Sequence, residues 1–378
     1  MDFSKIPSPS FVLDEKLLRR NLELINRIQN DAGIEIIMAF KGFAMWSVFP
    51  LVRQYLSGAT ASSLFEARLC FEEMKTRAHV YSPAYFENEF DELISYSSHF
   101  VFNSFNQFHK FYPETKKAGH HISCGIRVNP EYSDIATDLY NPSLAGSRLG
   151  VGSEEFPDEL PEGVEGIHFH VLCESDSYSL AYVLKNLEAH FGKYLHQVKW
   201  VNMGGGHLMT RKGYNHEHLV KLLQNFKKKY NVKLILEPGS AIAWETGVLV
   251  SKVLDIVEHK GIKVAILDVS FTAHMPDTLE MPYRPKIIGA KEPDKNSKYL
   301  YRLGGVSCLA GDFMEVYDFD HELQIGEQVI FLDMIHYTMV KTTMFNGTKH
   351  PAIAIWTEDN QLKTVREFGY EDFKNRLS

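Results

Sequence analysis

The chain has 378 residues, of which 44% are hydrophobic and 23% charged, and a formal charge of -8. That balance belongs to a globular protein large enough to bury its own core without disulfides or metals, and an acidic surplus with no long Lys/Arg cluster excludes a basic nucleic-acid-binding face. The four cysteines, Cys70, Cys124, Cys173 and Cys308, are scattered and form no C-x-x-C pair, which argues against a zinc knuckle or a disulfide scaffold and fits a reducing cytosol.

At the N-terminus, MDFSKIPSPSF lacks the basic and apolar regions of a signal peptide, and no later apolar run reaches the length of a membrane span. A cytoplasmic protein is expected, with neither nucleic acid nor membrane as partner. Leu17, Leu18, Leu22, Leu24, Ile25 and Ile28 recur at helical spacing, and Ala32-Gly33 ends that run. Short apolar runs, several of them β-branched, follow near 34–41, 58–63, 77–82, 99–103, 123–129, 166–172, 198–203 and 232–237. Helical periodicity fills the gaps, as at 64–75 and 215–230, where Lys227-Lys228-Lys229 reads as a solvated helix end. Eight strand–helix units predict an α/β fold, a parallel sheet closed into a (β/α)8 TIM-like barrel over 14–245. Beyond about 245 the texture changes. GVLVSKVLDIV, KVAILDV, KYLYRLG, EQVIFLDM, YTMVKTTMF and AIAIWTE are short runs, mostly rich in β-branched or aromatic residues, broken by turn residues such as Gly261, Gly326 and Asn346-Gly347. They predict an all-β domain over 246–378, joined by the N-terminal strand 1–13.

A barrel of this kind carries its chemistry at the C-terminal ends of its strands. Lys41 closes the first apolar run; desolvation there favours a neutral amine able to attack an aldehyde, though a lysine snorkelling to the rim is the ordinary alternative. His168 and His170 share one face of a strand. They suit a metal pair or an imidazole stacked on a planar cofactor, but the other strand ends, Lys41, Asn129, Gly204 and Glu237, make a poor metal set. Gly204, Gly205 and Gly206 precede a helix and permit close approach of backbone amides to a phosphate, or simply form a tight turn. Glu237-Pro238-Gly239 closes the eighth run, and a carboxylate there can hold a pyridine nitrogen protonated. Cys308 and Asp312 sit in a glycine-rich turn, GGVSCLAGDF, and Tyr337 offers a hydroxyl.

AFKGFA at 39–44, HFHVLCES at 168–175, MGGGH at 203–207, FTAHMPDTLEMPYRP at 271–285 and CLAGD at 308–312 make the sequence recognisable. From FVLDE to YTMV it resembles the alanine-racemase-fold decarboxylases dependent on pyridoxal 5'-phosphate (PLP), the group of ornithine, arginine and diaminopimelate decarboxylases, and within it the branch acting on carboxylated polyamines. The resemblance implies that Lys41 binds the PLP aldehyde covalently, that His170 stacks on the ring and that Glu237 faces the ring nitrogen. It implies a phosphate held by Gly204, Gly205, Gly206 and Gly239 with Tyr337, a proton returned to the substrate by Cys308, and a homodimer whose sites share residues from both subunits. Asp277, Glu280, Asp312 and Arg148 are the implied substrate contacts, with Arg127 also lining the barrel mouth. The sequence departs from the family pattern at Ser240, where an arginine is usual, at Cys173, usually serine, and at Thr60, often a carboxylate. Leu309 stands where diaminopimelate decarboxylases carry a glutamate, which favours a small-molecule carboxylated polyamine with an amine tail. Another basic amino acid, a metal-dependent hydrolase built on the two histidines, and a non-catalytic regulatory relative are the alternatives.

Overall fold

The computed structural model describes residues 1–135, 137–280 and 283–378. The chain forms two compact units, 21–242 and 1–20 together with 243–378. Its first ten strands are β1 (Ser10–Asp14), β2 (Glu35–Ile36), β3 (Met38–Ala39), β4 (Ala59–Ala61), β5 (Ala78–Tyr81), β6 (Ser97–Phe102), β7 (Ser123–Arg127), β8 (Val164–His168), β9 (Trp200–Asn202) and β10 (Lys233–Leu236).

Strands β2 to β10 form one parallel sheet in the order β2-β10-β9-β8-β7-β6-β5-β4-β3. The expected eight runs are all present, the first split into β2 and β3. The split closes the barrel. β2 pairs with β10 and β3 pairs with β4, while Ile37 N–H donates to Leu236 O and Ala39 N–H to Pro238 O. Strands buried on both faces carry near-continuous apolar sequence, as β10 does with Leu234, Ile235 and Leu236 fully buried. Side-chain caps start the intervening helices: Ser63 accepts from Glu66 N–H, Ser104 from Gln107 N–H, Asp176 from Tyr178 and Ser179 N–H, and Asn215 from His218 N–H. Inside the barrel, Trp200 lies across Gly125 and Gly166, where a Cβ would come closer than 3.0 Å to the indole, and its Nε1–H donates to Ser123 Oγ at 2.8 Å.

The other unit adds β11 (Gly247–His259), β12 (Ile262–Leu267), β13 (Ala290–Lys291), β14 (Tyr299–Gly304), β15 (Phe313–Phe319), β16 (Gln328–Leu332), β17 (Ala352–Trp356) and β18 (Leu362–Arg366). They join β1 in a mixed sheet, β13-β15-β14-β12-β11-β1-β17-β18, with β16 also on β11. β1 is antiparallel to β11 and parallel to β17, and Ile6, Val12, Val248, Val250, Ile330, Ala354 and Trp356 form a core beneath them. One expected run fails. Residues 337–345, YTMVKTTMF, carry no strand; they hold the 3-10 turn Met339–Lys341 and lead into the turn Phe345–Gly347. Tyr337 has φ +49, which no strand accepts, and Thr338 Oγ1 donates to Asp277 at 2.8 Å, tying the segment down as a turn.

Candidate active site

Five polar side chains converge at the C-terminal ends of the barrel strands. Arg127, His168 and Asn202 are the last residues of β7, β8 and β9; Glu237 follows β10; Lys41 stands two residues after β3. The Lys41 amine lies 2.9 Å from His170 Nε2. Gly205 holds the ring at Nδ1, with its N–H 3.0 Å and its carbonyl oxygen 3.2 Å from that nitrogen. Desolvation and then the Arg127 charge lower the Lys41 pKa, with Glu237 opposing them. Desolvation, then Lys41 and Arg127, push His170 well below the usual imidazole range. Arg127 is 3% exposed; its Nη2–H donates to His170 O at 3.0 Å and its guanidinium lies over the Tyr81 ring at 4.6 Å.

Glu237 is buried at 8% exposure. Burial alone would push its carboxyl up, but His168 and the Asn202 amide outweigh that and hold it below the ordinary value. Asn202 Nδ2–H donates to Oε1 at 2.6 Å. Oε2 meets His168 Nε2 at 3.6 Å, beyond hydrogen-bond range. Asn202 also orders the glycine run, accepting from Gly204 N–H at 2.9 Å. Gly204 and Gly206 have φ +65 and +89, and a Cβ on any of the three glycines would come closer than 3.0 Å to Phe169, His170, Glu237 or Leu172. Of the three expected phosphate amides, those of Gly204 and Gly205 already serve Asn202 and His170. A lysine with a lowered pKa, a buried carboxylate held below its ordinary value and a glycine cradle fit PLP. Among the described residues, no group of three or more His, Cys, Asp and Glu is arranged to hold a metal, and no helix is long and apolar enough to cross a membrane.

Two groups escaped the sequence reading. Asn202 follows a tryptophan and a valine and carries no motif of its own. Glu66 caps its own helix, accepting from Ser62 N–H at 2.6 Å, and is close enough to Lys41 to feel its charge; the S-x-x-E pattern at 63–66 was the available signal.

In the other unit Cys308 is exposed in the turn between β14 and β15. Asp312, expected near substrate, is 5% exposed and fully engaged by main chain: Oδ1 accepts from Phe271 and Thr272 N–H at 2.7 and 3.1 Å, Oδ2 from Ser307 N–H at 3.0 Å. Asp277 Oδ2 accepts from Tyr283 and Thr338 hydroxyls, whereas its buried Oδ1 has no partner among the described residues. Glu280 pairs with Lys341. In the barrel unit Arg148 is exposed, and its carbonyl accepts from Asn103 Nδ2–H. Met281 and Pro282, within the 271–285 motif, lie outside the described residues.

The comparisons with known proteins agree with this chemistry. A carboxyaminopropylagmatine decarboxylase of Synechocystis sp. is 50% identical over 99% of this chain and 96% of that protein. A carboxynorspermidine/carboxyspermidine decarboxylase of Campylobacter jejuni is 44% identical over 100% of each chain. The crystal structure of carboxynorspermidine decarboxylase from Campylobacter jejuni, complexed with norspermidine, superposes with a TM-score of 0.90 at 42% identity, covering 98% of this chain and 100% of that one. Diaminopimelate decarboxylase from Helicobacter pylori shares the fold, with a TM-score of 0.83 at 17% identity over 99% and 98% of the two chains. A family model described as pyridoxal-dependent decarboxylase, C-terminal sheet domain, matches residues 11–335. The chain belongs to the pyridoxal-dependent decarboxylase family and is a PLP-dependent decarboxylase.

Proposed function

We propose that this decarboxylase acts on carboxynorspermidine and carboxyspermidine, releasing norspermidine and spermidine in polyamine biosynthesis. The observation that carries the reading is the full-length 44% identity to a protein of that activity, in a chain whose barrel mouth sets Lys41, His170 and Glu237 together. Bound PLP supplies the electron sink for loss of the carboxylate. Lys41 provides the amine that holds the cofactor. His170, kept neutral by desolvation and the nearby cations, offers its ring face. Glu237 keeps a proton on the ring nitrogen through Oε2. With the Gly204 and Gly205 amides engaged by Asn202 and His170, the phosphate falls to the Gly206 end of the cradle, Gly239, the Ser240 hydroxyl and Tyr337, with Ser240 standing in for the usual arginine. Cys308 returns a proton to the substrate's Cα once carbon dioxide has left.

The Oδ1 of Asp277, without a partner among the described residues, is the acceptor best suited to an ammonium tail, since a buried carboxylate oxygen without a donor is costly. Glu280 reaches the tail by exchanging Lys341 for it, and Arg148 lines the approach. Asp312 contributes through the turn it braces, because both its oxygens are taken. The protein works as a homodimer in which the partner subunit's Cys308 serves each barrel, in the cytoplasm. The 50% identity to a carboxyaminopropylagmatine decarboxylase favours a second reading, a tail ending in guanidinium instead of ammonium. Incubation with carboxynorspermidine, carboxyspermidine, carboxyaminopropylagmatine and diaminopimelate, with products identified by mass spectrometry, decides. The highest kcat/KM is expected for carboxynorspermidine or carboxyspermidine. A preference for carboxyaminopropylagmatine installs the second reading, and a preference for diaminopimelate refutes both.

A further inference from the structure

We propose that Asn346 is a positioning residue that orients Cys308, an inference that rests on Cys308 being the proton donor. The turn joining β14 to β15 is braced by its own bonds and by the segment at 269–272. Gly305 N–H donates to Asp312 O at 2.7 Å, Val306 N–H to Val269 O at 3.0 Å and Asp312 N–H to Leu309 O at 3.0 Å. The Asp312 carboxylate accepts from Ser307 N–H at 3.0 Å. A Cβ at Gly305 would come closer than 3.0 Å to that carboxylate, so a larger residue there would displace it. Cys308 is tied to a different segment. Its main-chain N–H leaves the turn and donates to Asn346 Oδ1, 38 residues away in sequence, at 2.9 Å.

That bond fixes the peptide plane ahead of Cys308 and so the direction of its Cα–Cβ bond. An exposed hydrogen bond constrains its donor only when the acceptor is itself held, and Asn346 is. Gly347 N–H donates to Met344 O at 3.0 Å, Thr348 N–H and Oγ1–H to Phe345 O at 3.1 and 2.7 Å, and Thr343 N–H to Ala273 O at 2.7 Å. Asn346 has φ +58, a conformation that asparagine tolerates and glycine tolerates better. An asparagine chosen for its backbone alone is therefore replaceable by glycine; one chosen for its side-chain oxygen is not. Aspartate keeps the oxygen.

The test compares the PLP-loaded Asn346→Gly, Asn346→Asp and Cys308→Ala variants with the parent enzyme. Three quantities are read: kcat and KM separately; the fraction of turnovers ending in aldehyde and pyridoxamine phosphate instead of amine; and the rate at which iodoacetamide labels Cys308, located by peptide mapping. The aldehyde arises when the returning proton misses Cα, leaving the substrate nitrogen on the cofactor after one water is added. With Asn346→Gly, kcat is expected to fall about tenfold or more, the order that small misplacements of a reacting group produce. KM stays near the parent value, the aldehyde fraction rises and the labelling rate of Cys308 changes. Asn346→Asp restores most of each. Parent-like kcat, product ratio and labelling in Asn346→Gly, alongside a defective Cys308→Ala, overturn the role of Asn346 alone. A parent-like product ratio in Cys308→Ala overturns the reading of Cys308 and leaves Asn346 nothing to position.

Discussion

Lys41 and His170 meet at the barrel mouth, amine to Nε2 at 2.9 Å, with Gly205 holding the ring at Nδ1. Desolvation at that mouth and the Arg127 charge lower the Lys41 pKa in the same direction. The neutral, nucleophilic fraction of Lys41 therefore rises with pH through a value below that of an ordinary lysine. Replacing Lys41 by alanine is expected to abolish turnover. Borohydride reduction should attach a pyridoxyl mass to the peptide holding residue 41 in the parent protein and none in Lys41→Ala. A parent protein that takes up no such mass at that peptide removes Lys41 from its role. Lys41, His170 and Glu237 were legible in the sequence because each stands at the end of an apolar run, where the fold fixes the direction of the side chain. Asn202 and Asn346 were not. Asn202 meets its carboxylate 35 positions later, and Asn346 meets Cys308 38 positions earlier. No local pattern records such a meeting.

The barrel strands show the same division between pattern and contact. Their number and order follow from alternation of short apolar runs with helical stretches, and even GATASS, poor in branched residues, holds β4. YTMVKTTMF has strand-like composition but turns, because a positive φ at Tyr337 and the bond from Thr338 to Asp277 outweigh propensity. How the barrel is filled was not legible, since Trp200 uses space left by glycines on two other strands. Gly125 and Gly166 each lack the carbon that would meet the indole. Gly166→Ala is therefore expected to destabilise the protein by about 1–3 kcal/mol, the usual cost of overpacking. Adding Trp200→Phe should recover part of it, because the smaller ring frees the space, although Ser123 then loses a donor. Denaturant unfolding of the two single variants and the double variant measures the coupling. Strict additivity would show that Trp200 and Gly166 do not share that volume.

Across the whole molecule, buried histidines set the response to acid. Burial lowers His99, His207 and His274 to about 4, aided by Lys233 at His99 and by His350 at His274. His207 and His274 are 1% and 0% exposed. The first two lie in the barrel unit and the third in the sheet unit, so neither unit escapes. In the unfolded chain an imidazole titrates near its ordinary value of about 6.5. Between that value and about 4 the unfolded state binds protons that the folded state refuses, and stability falls as pH falls. It is complete above about 6.5 and declines by up to about 1.4 kcal/mol per pH unit for each such group. Glu165 acts in a lower window. Its burial is outweighed by Lys199, Ser123 and His121, which hold it at about 2, so its contribution is present above the ordinary carboxylate range and is lost only as pH drops toward 2. The steep loss before pH 4 thus belongs to histidine. Denaturant midpoints at pH 7, 6 and 5, at one fixed PLP concentration, should fall progressively. Midpoints that stay level from pH 7 to 5 would mean that these imidazoles accept protons inside the folded protein.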